Sequence, residues 1–209
     1  DPLSITSVSN LYGGTITEYN GTYTFSPDIP GGMASFEYEV SDGLGGRDWG
    51  RVDVDVNHIP QAEHDFFTTT AGIDLVLSPD QLLGNDWDAD GDPLSITSVS
   101  NLYGGTITEY NGTYTFSPDI PGGMASFEYE VSDGQGGIDW ALVDVEVNHT
   151  PLASYDFFTT TAGIDLVLTP DQLLGNDWDA DGDPLSITSV SNLYGGTITA
   201  YNGAYTFSP

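Results

Sequence analysis

The chain has 209 residues and a formal charge of −30, with Arg47 and Arg51 as its only basic residues and no Cys. That charge excludes nucleic acid and anionic membrane as partners, since both would repel it, and the missing Cys exclude a disulfide framework, leaving bound ions to stiffen an extracellular chain. With 26 Gly, 12 Pro and 12% aromatic residues, the composition is that of a turn-rich β protein and not of a disordered acidic tail; no apolar run approaches the length that inserts across a bilayer.

Laid over itself, the sequence repeats. Residues 1–91 match residues 92–182 at all but ten positions, and residues 183–209 begin a third copy, so the period is 91 residues. That exceeds the usual solenoid unit and fits one small β-sandwich per repeat. Val56-Asn57-His58-Ile59-Pro60 and Val147-Asn148-His149-Thr150-Pro151 read as linkers, because a strand stops at a Pro that cannot donate to a ladder. The expected division is the C-terminal part of one repeat (1–60), a complete repeat (61–151) and the N-terminal part of the next (152–209). The end pieces lack sheet partners of their own, so complementation between chains into a self-assembling filament is one reading.

In chain order, the complete repeat is expected to open with strands over 64–69 and 73–77, joined at Ala71-Gly72, with Ile73, Leu75 and Leu77 on one face at period two. Ser78-Pro79-Asp80 starts a single helical turn. After an acidic loop, Leu94 and Ile96 point inward on the third strand. Strands over 106–110 and 113–116 flank Asn111-Gly112, the strongest two-residue hairpin signal. Phe127, Tyr129 and Val131 then alternate with Ser126, Glu128 and Glu130, and Ala141, Val143, Val145 and Val147 share a face of the last strand. Seven strands, antiparallel by hairpin logic, predict an all-β sandwich, repeated in a linear array.

The acidic loop carries the chemistry. Asp86, Asp88, Asp90 and Asp92 stand at alternate positions, and Asp177, Asp179, Asp181 and Asp183 repeat them. Two carboxylates about 5 Å apart repel by roughly 3 kcal/mol at an effective dielectric near 20, so four in one loop need a counter-charge or full exposure to water. Oxygen ligands without His or Cys select a hard ion, and their crowding favours Ca²⁺ over Mg²⁺. An EF-hand is excluded, because Thr97 and Thr188 stand where its bidentate Glu belongs. In a sandwich of alternating strands, the loops 86–92 and 133–139 and the first-strand residue Asp65 fall at one end of the domain. Asp133 and Asp139 should therefore meet the loop near the linker residues Asn57 and Asn148, putting an ion at the joint between repeats.

Leu-x-Asn-Asp-x-Asp-x-Asp-Gly-Asp-x-Leu, followed by Tyr129-Glu130-Val131-Ser132-Asp133-Gly134-x-Gly136-Gly137 and closed by Val-Asn-x-x-Pro-x-Ala, resembles the cadherin-like bacterial immunoglobulin repeats of giant secreted adhesins, including RTX-type ones. The resemblance spans the full period. It implies a Ca²⁺-rigidified extender on the bacterial cell surface or in an extracellular fibre, with neighbouring repeats of the same chain as partners. The ligands it implies are Asp65, Asp86, Asp88, Asp90 and Asp92, with counterparts Asp156, Asp177, Asp179, Asp181 and Asp183.

Catalysis is not expected: the three His lie in linkers or at the first strand, and the carboxylates have no cationic partner. A carbohydrate-binding module is the alternative, with polysaccharide stacking on Trp87 and Trp178. Self-association into fibres is compatible with the extender.

Overall fold

Asn-Gly turns and apolar alternation build most of the architecture. The computed structural model of the protein describes residues 2–191 and 194–209. The leading piece contains β1 (Ser4–Tyr12), β2 (Gly14–Tyr19), β3 (Thr22–Pro27), β4 (Gly32–Ser41) and β5 (Arg47–Val56). The middle repeat contains β6 (Asp65–Thr70), β7 (Leu75–Leu77), the one-turn helix α1 (Pro79–Leu82), β8 (Ser95–Tyr103), β9 (Gly105–Tyr110), β10 (Thr113–Pro118), β11 (Gly123–Ser132) and β12 (Ile138–Asn148). The trailing piece contains β13 (Leu166–Leu168), α2 (Pro170–Leu173), β14 (Thr197–Tyr201) and β15 (Ala204–Ser208).

The middle repeat is a seven-stranded sandwich, with β6-β12-β11-β8 packed on β7-β10-β9. Its β9–β10 hairpin turns at Asn111 (φ 50°) and Gly112 (φ 74°), the left-handed pair that matches the twist of the flanking strands. Inward-facing Phe127, Tyr129 and Val131 of β11 meet Val143, Val145 and Val147 of β12 and Phe116 of β10, all buried. Each such apolar side chain contributes about 1.5–3 kcal/mol on burial, and Phe116 stacks on Phe127 at 5.7 Å.

Two expectations change. The first and last strands pair in parallel, Asp65 with Val143 through Thr70 with Asn148, because six alternations return the seventh strand to the direction of the first and no hairpin joins them. The chain thus arrives at one end of the sandwich and leaves at the other. Ile73 is exposed and precedes β7, since residues 70–73 form a tight turn in which the Ile73 N–H donates to the Thr70 carbonyl at 2.9 Å.

In the leading piece, β1-β4-β5 form one sheet and β2-β3 a hairpin. In the trailing piece, β13-β15-β14 form a sheet, while residues 156–161 and 186–191 take no strand.

Candidate cation site at the joint between repeats

The parallel β6–β12 pair sets the start of both strands at the same end, beside the β7–β8 connection. Asp65 at the head of β6 is buried there. The Tyr129 hydroxyl lies 2.8 Å from Asp65 Oδ2, 3.0 Å from Asp86 Oδ2 and 2.7 Å from the Leu82 carbonyl oxygen. One proton therefore faces three acceptors. Burial raises the Asp65 carboxyl above its ordinary value, with the Asp86 charge adding to it against the Tyr129 hydrogen bond. Burial likewise raises Asp86 and, more strongly, the Tyr129 phenol.

Further out, carboxylate oxygens of Asp88, Asp90 and Asp92 lie within 4.8 Å of one another, as do those of Asp179, Asp181 and Asp183. Asp88 Oδ1 accepts the Asp90 N–H at 2.8 Å. Its other oxygen, Oδ2, is buried without a hydrogen-bond partner, an arrangement that costs about 1–3 kcal/mol or more for a charged group. Burial raises Asp92 as well, helped by the charges of Asp88, Asp90 and Asp133.

The linker is tied into this end. The His58 N–H donates to Asp90 Oδ2 at 2.8 Å, and the ring Nδ1 sits 2.9 Å from Oδ1; that backbone donor holds Asp90 below the usual carboxylate range. His149 grips Asp181 in the same way, with the same lowering. Gln61 and Trp87 exchange two backbone hydrogen bonds, at 2.8 and 3.1 Å, and Leu152 and Trp178 exchange two at 2.9 and 3.1 Å. The Ala62 N–H donates to Asp139 Oδ2 at 2.9 Å and the Glu63 N–H to Asp86 Oδ1 at 2.8 Å; at the second joint, Ser154 serves Asp177 at 2.8 Å.

Of the expected residues, Asp65 and Asp86 meet at the deep end and Asp88, Asp90 and Asp92 at the rim. Asp133 is 1% exposed and already occupied. Asn57 Nδ2 donates to one of its oxygens at 2.7 Å, and the N–H groups of Gln135 and Gly137 donate to the other. Burial works to raise Asp133, but these donors outweigh it and hold it low. Asn148 Nδ2 turns to the His149 carbonyl at 2.8 Å. Asp156, the counterpart of Asp65, lies outside any strand. Trp87 and Trp178 are 52% and 54% exposed.

Sequence reasoning passed over Tyr129, which alternation assigns to the core along with Phe127 and Val131. The available signal was a Tyr where Phe would pack, since a buried hydroxyl needs a polar partner.

Among the described residues no helix is long and apolar enough to cross a membrane. A family model described as a cadherin-like domain matches residues 1–57, 56–148 and 147–209. No curated protein matches the chain. A nucleoside hydrolase-related hypothetical protein from Saccharophagus degradans, associated with carbohydrate metabolism, is 20% identical over 44% of this chain and 26% of its own, with a TM-score of 0.33. This chain thus spans about a quarter of that protein's solved length. The human desmocollin-1 ectodomain is 12% identical over 99% of this chain and 45% of its own (TM-score 0.31). Titin domains I67–I69, in an E-to-A variant, are 10% identical over 99% and 77% (TM-score 0.34).

Proposed function

We propose, from the premise that this chain belongs to the cadherin-like domain family, that it is an extender whose joints are stiffened by Ca²⁺, part of a secreted bacterial adhesin or extracellular fibre. Domains of this family are typically adhesive and structural, not catalytic, and they stand here in tandem. The observation that carries the calcium reading is the Asp88 carboxylate: one oxygen is buried without a partner, amid Asp90 and Asp92, on a loop joined through Gln61 and His58 to the preceding linker. A hard cation fits this donor set. It would be held by Asp88, Asp90 and Asp92 at the rim and by Asp65 and Asp86 deeper in, with Asp177, Asp179, Asp181 and Asp183 repeating the arrangement at the second joint and Asp156 its deep member. Such an ion would neutralise carboxylates that otherwise repel and would turn a hinged connection into a stiff one.

The test is thermal unfolding of the chain with saturating Ca²⁺ and with chelator. A ligand at about a thousandfold over its dissociation constant stabilises the folded state by about 4 kcal/mol, or roughly 15–30 °C for a repeat of this size. Asp88→Asn should remove most of that shift and leave the chelated midpoint equal or higher. Equal midpoints with and without Ca²⁺ would overturn the reading.

A second reading has the half-exposed residues Trp87 and Trp178 stacking on neutral polysaccharide. Tryptophan fluorescence should then shift on titration with glycan in the parent and stay fixed in Trp87→Ala/Trp178→Ala.

A further inference from the structure

The ten positions at which residues 1–91 and 92–182 differ include the chain's only two cations. Arg47 and Arg51 of β5 become Ile138 and Leu142 of β12. Both pairs flank a tryptophan, Trp49 or Trp140, that the repeats share. Strand alternation puts these side chains on the sheet face turned away from the core. Ala141 and Val143 are buried, whereas Ile138, Trp140 and Leu142 are 51%, 44% and 39% exposed. Trp49 is 48% exposed at the equivalent place, so its exposure belongs to the face and not to the smaller sheet around it.

The cross-strand neighbours are the same acids in both copies. Glu39 stands opposite Trp49 and Glu37 opposite Arg51; Glu130 stands opposite Trp140 and Glu128 opposite Leu142. On the first face Arg47 reaches Glu39 and Arg51 reaches Asp53, each at 2.7 Å, with both guanidinium side chains still mostly exposed. On the second face no ion pair reaches Glu128 or Glu130 among the described residues. One face is thus an indole between cations, and the other an indole between aliphatic side chains beside unneutralised carboxylates. Guanidinium groups stack on indole and pair with carboxylates, so each face offers what the other lacks.

We propose that the outer face of β5 in one chain docks on the outer face of β12 in a second copy of this chain. Two chains related by a twofold axis make the contact twice, β5 of each on β12 of the other, a self-complementary arrangement that closes as a dimer. Pairing β12 on β12 sets the carboxylates of Glu128 and Glu130 against their own copies with no cation between them, so that register is disfavoured while β5 on β12 is favoured. On a chain of this charge, β5 is the only surface with cations to offer.

The proposal stands apart from the calcium reading, and Ca²⁺ is held at one saturating concentration throughout the test. Sedimentation equilibrium of the full chain over a range of concentrations should show a monomer–dimer equilibrium. Arg47→Ile/Arg51→Leu gives both faces the aliphatic character and should weaken association about tenfold or more, through loss of close interfacial charge pairs. Adding Ile138→Arg/Leu142→Arg to that variant exchanges the two faces and should restore the dimer. Every substitution installs a residue that the other repeat carries at the same position, and circular dichroism checks that the strands remain. A parent that stays monomeric at every concentration, a dimer indifferent to the first variant, or an exchanged variant no tighter than it would each overturn the proposal.

Discussion

Residues 65–70 and 156–161 are the same six letters, Asp-Phe-Phe-Thr-Thr-Thr, and they fold differently. In the middle repeat they form β6 along β12; in the trailing piece, where no counterpart of β12 stands among the described residues, they form no strand. Ser-Ile-Thr-Ser-Val-Ser likewise pairs with β11 at 95–100 and forms no strand at 186–191. By contrast Leu-Val-Leu is a strand both times, as β7 and as β13, because its partner lies in the nearby hairpin that both pieces contain. The difference teaches that β propensity here is a capacity for pairing, realised only where a ladder and a buried face are supplied.

The largest expected effect comes from supplying the missing partner. Fusing a second copy of residues 119–151 after Pro209 should turn 156–161 and 186–191 into strands. Amide exchange in those segments should slow from near-unprotected toward the global stability of a repeat, on the order of 5 kcal/mol or more. The core separates the pieces next. Phe127→Ala should destabilise the middle repeat by about 3–5 kcal/mol in urea unfolding, whereas Phe36→Ala, whose ring meets Phe25 at 6.2 Å in a half-buried setting, should cost about 1 kcal/mol. Tyr129→Phe leaves Asp65 and Asp86 facing each other without their shared donor and should cost about 1–3 kcal/mol in chelator. The smallest difference between the pieces should come at their hairpins. Gly112→Ala and Gly203→Ala each put a side chain at positive φ (74° and 77°) and should each cost about 1–2 kcal/mol, because both hairpins close locally.

Much of this was legible in the letters. The Asn-Gly turns, the alternation of Phe127, Tyr129 and Val131, and the repeat period each follow from rules that look a few residues along the chain or compare it with itself. The acidic loop announced a concentration of charge in the same way. Less legible were features set by residues far apart. Parallel pairing of β6 with β12 needs the whole sandwich to be counted out. Asp133 does meet the linker at Asn57, 76 positions earlier, but the filling of its other oxygen by backbone donors of its own turn shows only in the folded loop. Tyr129 hid in an apolar pattern because its hydroxyl meets Asp65 and Asp86 only after three strands assemble. The coil at 156–161 was invisible to any local rule, since the same letters form a strand elsewhere.

The parallel first and last strands also decide how a repeat bears load. Because the chain arrives at one end of the sandwich and departs from the other, tension along the array pulls β6 and β12 past each other along their length. Six residue pairs, Asp65 with Val143 through Thr70 with Asn148, then resist together in shear, where an antiparallel pair pulled from a common end would peel open one bond at a time. Each complete repeat is built as a mechanical clamp in series with its neighbours, whatever its far end holds.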